Sequence, residues 1–143
     1  MRTTLILAAF FVLCASGAHA DPCTAPVTGY KAGAVVTGAV RYVGDADSLC
    51  IGQGSDPKTW IEIRLADFYG PELNAAGGRA AKQTLVDLTK GKEAVCTVRQ
   101  SDRGAKTYSY DRLIAQCRID GASLGDLMRG ADVKEGGNGR STR

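Results

Sequence analysis

The chain has 143 residues, of which 18 are Lys or Arg and 15 are Asp or Glu, giving a formal net charge of +3. This small excess does not by itself indicate a nucleic-acid partner, because similar numbers of both signs usually form a solvated surface. A chain of this length has room for one domain with a modest hydrophobic core.

The N-terminus has the three parts of a secretory signal peptide. Residues 1–20 contain Arg2 as the charged start, the apolar run "LILAAFFVLCA" and the cleavage motif "AHA". The apolar run is shorter than the roughly 20 residues needed to span a bilayer, so we expect a cleaved signal rather than an anchor. The mature protein would then begin near Asp21, lie in the periplasm or be secreted, and have no membrane partner.

Cleavage at this site changes which reactive side chains remain. It removes Arg2, Cys14 and His19, so the mature chain has no histidine and its formal charge falls by one. Nuclease mechanisms that depend on an imidazole base are therefore disfavoured. A zinc site is also disfavoured, because no C-x-x-C spacing and no histidine ligand remains.

Strand patterns follow an irregular lead-in over residues 21–33. The first two predicted strands, 34–43 and 48–52, lie on either side of the acidic turn "GDAD". The third, 60–68, alternates apolar and polar residues as a half-buried strand does. One face would carry Trp60, Glu62 and Arg64, and the other Ile61, Ile63 and Leu65.

A helix is predicted over 77–91, where Ala81, Leu85 and Leu88 form an apolar stripe and Gly91 suits a left-handed C-terminal position. Two more strands are predicted at 93–99 and 112–119, joined by the polar segment "QSDRGAKTYSYD". A short helix over 123–131 would have Ser123 as its N-cap.

Five strands with one helix between the third and fourth predict an α+β fold that is mainly β, a five-stranded OB-type Greek-key barrel. We assign the barrel domain to residues 34–133. Residues 134–143 have no apolar periodicity, and we expect a flexible tail there.

The four cysteines left after cleavage are an even number in an exported chain, which favours disulfides. Cys96 and Cys117 lie on strands that we expect to be neighbours, and Cys23 and Cys50 flank the first hairpin. We therefore predict the pairs Cys23–Cys50 and Cys96–Cys117. Each closes a loop of about 20 to 30 residues, worth roughly 3 kcal/mol in the chain-entropy model.

Charged residues near the predicted strands have two interpretations each. Asp45 and Asp47 are two residues apart, so an extended backbone would direct both carboxylates to one side, as in a cation site. The alternative is an ordinary acidic turn.

The two strand arginines are also open to either interpretation. Arg64 and Arg112 would form a fork for a phosphate if they converge, but spacing alone does not show that they do. The alternative for Arg64 is a surface pair with a carboxylate such as Glu62 or Asp67.

Five segments occur in the order and at the spacings of the thermonuclease family, the staphylococcal-nuclease-like proteins. They are "GDADSL", "IRLADFYGPEL", "GGRAAKQTLVDLTKGKEAVC", "YDRLIA" and "IDGASLGDLMRGA". The resemblance covers residues 34–133 and implies an OB-type barrel with helices. It also implies that Asp47 is a calcium ligand, Arg64 and Arg112 bind the phosphate, Glu72 is the catalytic glutamate, and Tyr110 lies beside the substrate phosphate.

Two positions depart from the family pattern. Tyr69 occupies the place of a second calcium-binding aspartate, and Ala46 replaces a glycine between the first two aspartates. Asp67 has the strand parity to act as the missing ligand after a backbone movement. We expect a Ca²⁺ site that is weak or uses another divalent metal, because affinity depends on the number and charge of the ligands.

The resemblance thus implies an exported phosphodiesterase or nuclease, assisted by a divalent metal. It would hydrolyse DNA or RNA, preferably single-stranded, and we expect a monomer. Calcium would polarise the phosphoryl oxygens while Glu72 activates a water molecule. The alternative is a non-catalytic OB module that binds nucleic acid, sugar or protein at the same face.

Overall fold

The strands predicted from alternation are present and close into a barrel in a computed structural model of the chain. The structure describes residues 21–136, so the predicted signal peptide and residues 137–143 of the predicted tail lie outside the described part. In chain order the strands are β1 Val35–Val43, β2 Ser48–Gly52, β3 Ile61–Leu65, β4 Glu93–Val98, β5 Tyr108–Ser109, β6 Arg112–Ile119 and β7 Ala122–Ser123.

Closure depends on one parallel pairing. β1 pairs antiparallel with β2 and β4, β2 with β3, and β4 with β6. β3 and β6 then pair in parallel and complete a five-stranded barrel. β5 and β7 add to β6, and the sequence did not indicate them because two-residue strands have no measurable alternation. The predicted α+β, mainly β, OB-type architecture is confirmed.

Two helices pack on the barrel, α1 Gly78–Thr89 and α2 Leu124–Gly130, and a single 3₁₀ turn spans Pro57–Thr59. Ser123 caps α2 as predicted, because its hydroxyl accepts a hydrogen bond from the backbone N–H of Asp126. Gly91 has a φ of 69°, the left-handed conformation expected after α1. No helix within residues 21–136 is long and apolar enough to cross a bilayer.

Both predicted disulfides are present. Cys96 and Cys117 are direct partners in the β4–β6 register, so their bond joins neighbouring strands inside the barrel. Cys23 is bonded to Cys50 of β2, which ties the irregular lead-in to the sheet. The described end of the tail is also attached, because the backbone N–H of Gly136 donates to the Tyr69 carbonyl at 3.1 Å.

The polar face of β3 is not the solvated surface that alternation suggested. Glu62 is only 7% exposed. The lead-in runs beside the residues before β3, where the backbone N–H of Ala25 donates to the Trp60 carbonyl at 3.1 Å. An irregular segment therefore covers a face that a strand pattern alone assigns to water.

Candidate functional site

Arg64 and Arg112 converge on one cleft. In the parallel β3–β6 register Arg64 lies opposite Ile114, and Arg112, two residues earlier on β6, has the same side-chain direction. Both line a cleft of about 520 Å³ together with Tyr110 and Tyr69. The structure thus brings together the two arginines and the tyrosine that the resemblance assigned to phosphate binding.

Arg64 is held in place on two sides. Its guanidinium forms an ion pair with the carboxylate of Asp47, which is 5% exposed. The ring of Tyr69 lies 5.2 Å from the guanidinium carbon. The interpretation of Arg64 as a surface partner of Glu62 or Asp67 is therefore wrong, because its carboxylate partner is the buried Asp47.

Asp47 is fixed by its backbone as well as by its side chain. Its carbonyl accepts a hydrogen bond from the N–H of Leu65 at 2.8 Å, and its Oδ2 accepts one from the N–H of Gly70 at 2.7 Å. A side chain at position 70 would collide with Ala46. Glycine at position 70 therefore allows the chain before α1 to pass close enough to bind this carboxylate.

The pKa values of the two aspartates in the β1–β2 turn are shifted in opposite directions. Burial raises the pKa of Asp47 to about 6, although Arg64 favours its ionised form. Burial opposes ionisation of Asp45 too, but hydrogen bonds from Asp47 and Ser48 and the charge of Arg112 outweigh it, so the pKa of Asp45 is lowered. Asp45 Oδ1 also accepts the Asp47 N–H at 2.9 Å, an Asx turn.

The Asp67 side chain lies against the start of α2. Its Oδ2 accepts hydrogen bonds from the Ser123 hydroxyl and, at 3.3 Å, from Gln116 Nε2. Its Oδ1 is buried without a hydrogen-bond partner among the described residues. Tyr69, where the resemblance implied a second aspartate, donates its phenol hydrogen to Asp102 Oδ2 at 2.8 Å.

This donor set does not fit a calcium cage. Calcium takes about six to eight oxygen ligands, several from carboxylates. One oxygen of Asp47 already accepts from Arg64 and Gly70, and Asp67 is bonded to Ser123. Within residues 21–136 no group of three or more His, Cys, Asp or Glu side chains is arranged to hold a metal. The arginines that line the cleft could bind an anion directly.

Glu72 lies outside the cleft lining. It is exposed, in the turn that precedes α1, and its carbonyl accepts a hydrogen bond from the N–H of Ala75 at 2.9 Å. Gly78 lies so close to this carbonyl that a Cβ there would overlap it. The structure thus fixes the backbone of Glu72 but does not bring its side chain to the arginines.

Two cleft features were not indicated by the sequence. Arg103 and Asp102 line the cleft from the segment between β4 and β5, which has no periodicity to show where it folds. Tyr110 is 90% exposed and has a φ of 57°, a left-handed backbone that is uncommon for a bulky residue.

No protein-family model and no curated protein sequence matches this chain. The resemblance to thermonucleases therefore rests on the five sequence segments quoted above.

Proposed function

We propose that this protein is an exported phosphodiesterase that acts on single-stranded DNA or RNA and binds the scissile phosphate between Arg64 and Arg112. The observation that carries the proposal is the meeting of these two arginines in one cleft, on the two strands whose parallel pairing closes the barrel. The order of thermonuclease-like segments along the chain supports the same chemistry.

The cleft has the charges and shapes that a nucleic-acid strand needs. Arg64, Arg103 and Arg112 line it with one carboxylate, Asp102. Guanidinium groups bind phosphate oxygens through parallel hydrogen bonds. The exposed ring of Tyr110 at the rim is available to contact a sugar or an unstacked base, as aromatic side chains do in single-strand binding proteins.

Hydrolysis would require Glu72 to move toward the bound phosphate. Glu72 is exposed in a turn, so substrate contacts rather than packing would orient it. Its carboxylate would take a proton from the attacking water while the arginines stabilise the charge on the phosphoryl oxygens. No step is assigned to a metal, because Asp47 and Asp67 do not meet in one site.

A non-catalytic binding module is the second candidate, and two observations favour it. The Asp67 carboxylate is bonded to Ser123 and Gln116. Tyr69 is bonded to Asp102 and packs against Arg64 where the family has a ligand. Such a protein would bind oligonucleotides through the same arginines without cleaving them.

A cleavage assay separates the two candidates. Purified protein is incubated with fluorescent single-stranded DNA in chelator, then with added calcium, magnesium or manganese, and the products are sized on a denaturing gel. Fragments that disappear in Glu72→Gln support the phosphodiesterase. Binding without fragments under every condition supports the module.

A binding assay tests the site itself. Arg64→Lys and Arg112→Lys should each weaken oligothymidylate binding by roughly tenfold, because an ammonium group does not supply two parallel donors. Arg118→Lys is the matched control, since Arg118 is exposed on the same strand, β6, and donates to the Gly121 carbonyl. If Arg64→Lys and Arg112→Lys bind oligothymidylate as tightly as the control Arg118→Lys, the proposed site is contradicted.

A further inference from the structure

A buried carboxylate without a cationic partner lies next to the start of the predicted mature chain. Glu62 on β3 is 7% exposed, and none of the ion pairs found in residues 21–136 includes it. A buried charge is costly unless it is paired with an opposite charge, so a carboxylate in this position requires either a proton or a cation.

The lead-in brings Asp21 to this carboxylate. The disulfide joins Cys23 to Cys50, and Cys50 is the partner of Glu62 in the β2–β3 register. A Cβ on Gly44 would lie 2.6 Å from Asp21 Oδ2, so the Asp21 carboxylate packs against the β1–β2 turn. The Asp21 carboxylate is close enough to the Glu62 carboxyl to accept its proton in a hydrogen bond, which raises the pKa of Glu62.

Negative charge dominates the surroundings of Glu62. Burial, followed by Asp21 and Asp111, raises the pKa of Glu62 to about 8, and only Arg112 acts in the opposite direction. Tyr42 faces the same place through its hydrogen bond to Asp21, and burial together with Asp21 raises the pKa of that phenol. With a peptide bond before Asp21, Glu62 is therefore mostly protonated at neutral pH.

We propose that Asp21 carries a free α-ammonium group in the working protein and that Glu62, flanked by Asp21 and Asp111, is the site that binds this ammonium. Water hydrolyses the peptide bond between Ala20 and Asp21, which leaves a carboxylate on Ala20 and an amine on Asp21 that takes up a proton. Bond lengths keep that nitrogen within about 5 Å of the Asp21 carboxylate, which already contacts Glu62. The inference rests on removal of residues 1–20 and not on the phosphodiesterase proposal.

The ammonium changes the protonation state of Glu62. An α-amino group has a pKa of about 8, so it is charged at neutral pH. An adjacent cation favours the ionised carboxylate, and the pKa of Glu62 should fall by more than about one unit on processing. A protonated buried acid thereby becomes an ion pair that anchors the N-terminus beside Arg112.

The first measurement is N-terminal sequencing of the protein exported by a bacterial host from the full-length gene. We expect the sequence Asp-Pro-Cys, and any other mature N-terminus overturns the proposal. The second measurement compares the chain from Asp21 to Arg143 with a free amine and with that amine acetylated. Both forms contain every strand and helix given above, because the first of these elements begins at Val35.

Carbon-detected NMR titration of the Glu62 carboxyl should give a pKa at least one pH unit lower in the free-amine chain than in the acetylated chain. The free-amine chain should also have the higher thermal midpoint at pH 7. In Glu62→Gln that difference between the two chains should disappear, whereas in Glu93→Gln, an exposed control on β4, it should persist. The same Glu62 pKa in both chains overturns the proposal, and none of these measurements depends on nuclease activity.

Discussion

The two halves of the candidate site are held by different parts of the molecule. Arg64 and Arg112 lie on neighbouring barrel strands, and Arg64 is further fixed by the buried Asp47. Glu72 lies in an exposed turn, where only its backbone has a described hydrogen bond. If the proposed function holds, the phosphate-binding half is preorganised in the free protein, whereas the hydrolytic half requires substrate to complete it.

Removing Asp47 should destabilise the half of the site that lies on the barrel strands. Asp47→Ala leaves Arg64 without its carboxylate and the Gly70 N–H without its acceptor. Breaking a buried pair costs about 3 to 5 kcal/mol, and we expect about 3 because Arg64 retains some access to solvent. Urea unfolding measures the loss.

Asp45→Ala is the control for this change. Asp45 lies in the same turn, and its Oδ1 accepts one backbone hydrogen bond, from the N–H of Asp47. We expect this variant to lose about 1 kcal/mol. Equal losses in the two variants would show that the turn, rather than the Arg64 pair, determines stability.

Replacing Glu72, in the exposed turn before α1, should reduce cleavage without affecting the half of the site on the barrel strands. Glu72→Gln retains shape and hydrogen bonding but removes the charge that accepts a proton from water, so cleavage should fall by about 100-fold or more. The midpoint of urea unfolding should not change, because Glu72 is exposed. Oligonucleotide affinity should also persist. A loss of affinity equal to that of Arg64→Lys would assign Glu72 to binding and contradict the comparison.

The sequence predicted these two halves unequally. Alternation was enough to place most of the barrel strands, because these have one face in the core, whereas all five residues of β2 are buried. It did not show that Arg64 and Arg112 meet, since that depends on the parallel β3–β6 pairing between strands far apart in the chain. Alternation also assigned Glu62 to the solvent-facing side of β3. The residue is buried instead, because the segment that covers it is irregular and has no periodic signal.

The pH dependence of stability and of binding tests the role of Asp47 beside Arg64. The pKa of Asp47 in the folded chain is about 6, above its ordinary value of 3.8, because the carboxyl is buried. The folded chain thus holds this proton more tightly than the unfolded chain does. The part of the stability that comes from holding this proton is fully present below about pH 4 and is lost as pH rises through about 6, whereas the ion pair with Arg64 and the hydrogen bond from Gly70 remain above that pH.

Protonation of Asp47 also removes the negative charge beside Arg64. Oligothymidylate affinity should therefore rise by roughly fivefold from pH 7 to pH 5 at constant salt, because the phosphodiester remains ionised. Fluorescence anisotropy measures the change. Asp45 should not contribute in this range, because its pKa is lowered. A constant affinity would mean that the Asp47 charge does not reach the bound phosphate.

The smallest expected effect on stability concerns the cleft rim, where the backbone of Tyr110 is strained. Its φ of 57° lies in the left-handed region, which costs a bulky residue about 1 kcal/mol and which asparagine tolerates. Tyr110→Asn should therefore stabilise the fold by up to about 1 kcal/mol in urea unfolding. Because the ring is 90% exposed, its removal leaves no cavity that would offset this gain.

The same variant should bind oligothymidylate more weakly, by about the 1 to 3 kcal/mol that one stacked base contributes when the ring contacts a base. Tyr110→Phe, the control, retains both the ring and the strain, so it should match the wild type in stability and in stacking. If Tyr110→Asn is more stable and binds as tightly as the wild type, the ring has no role in binding and the strained turn serves only to close the β5–β6 hairpin.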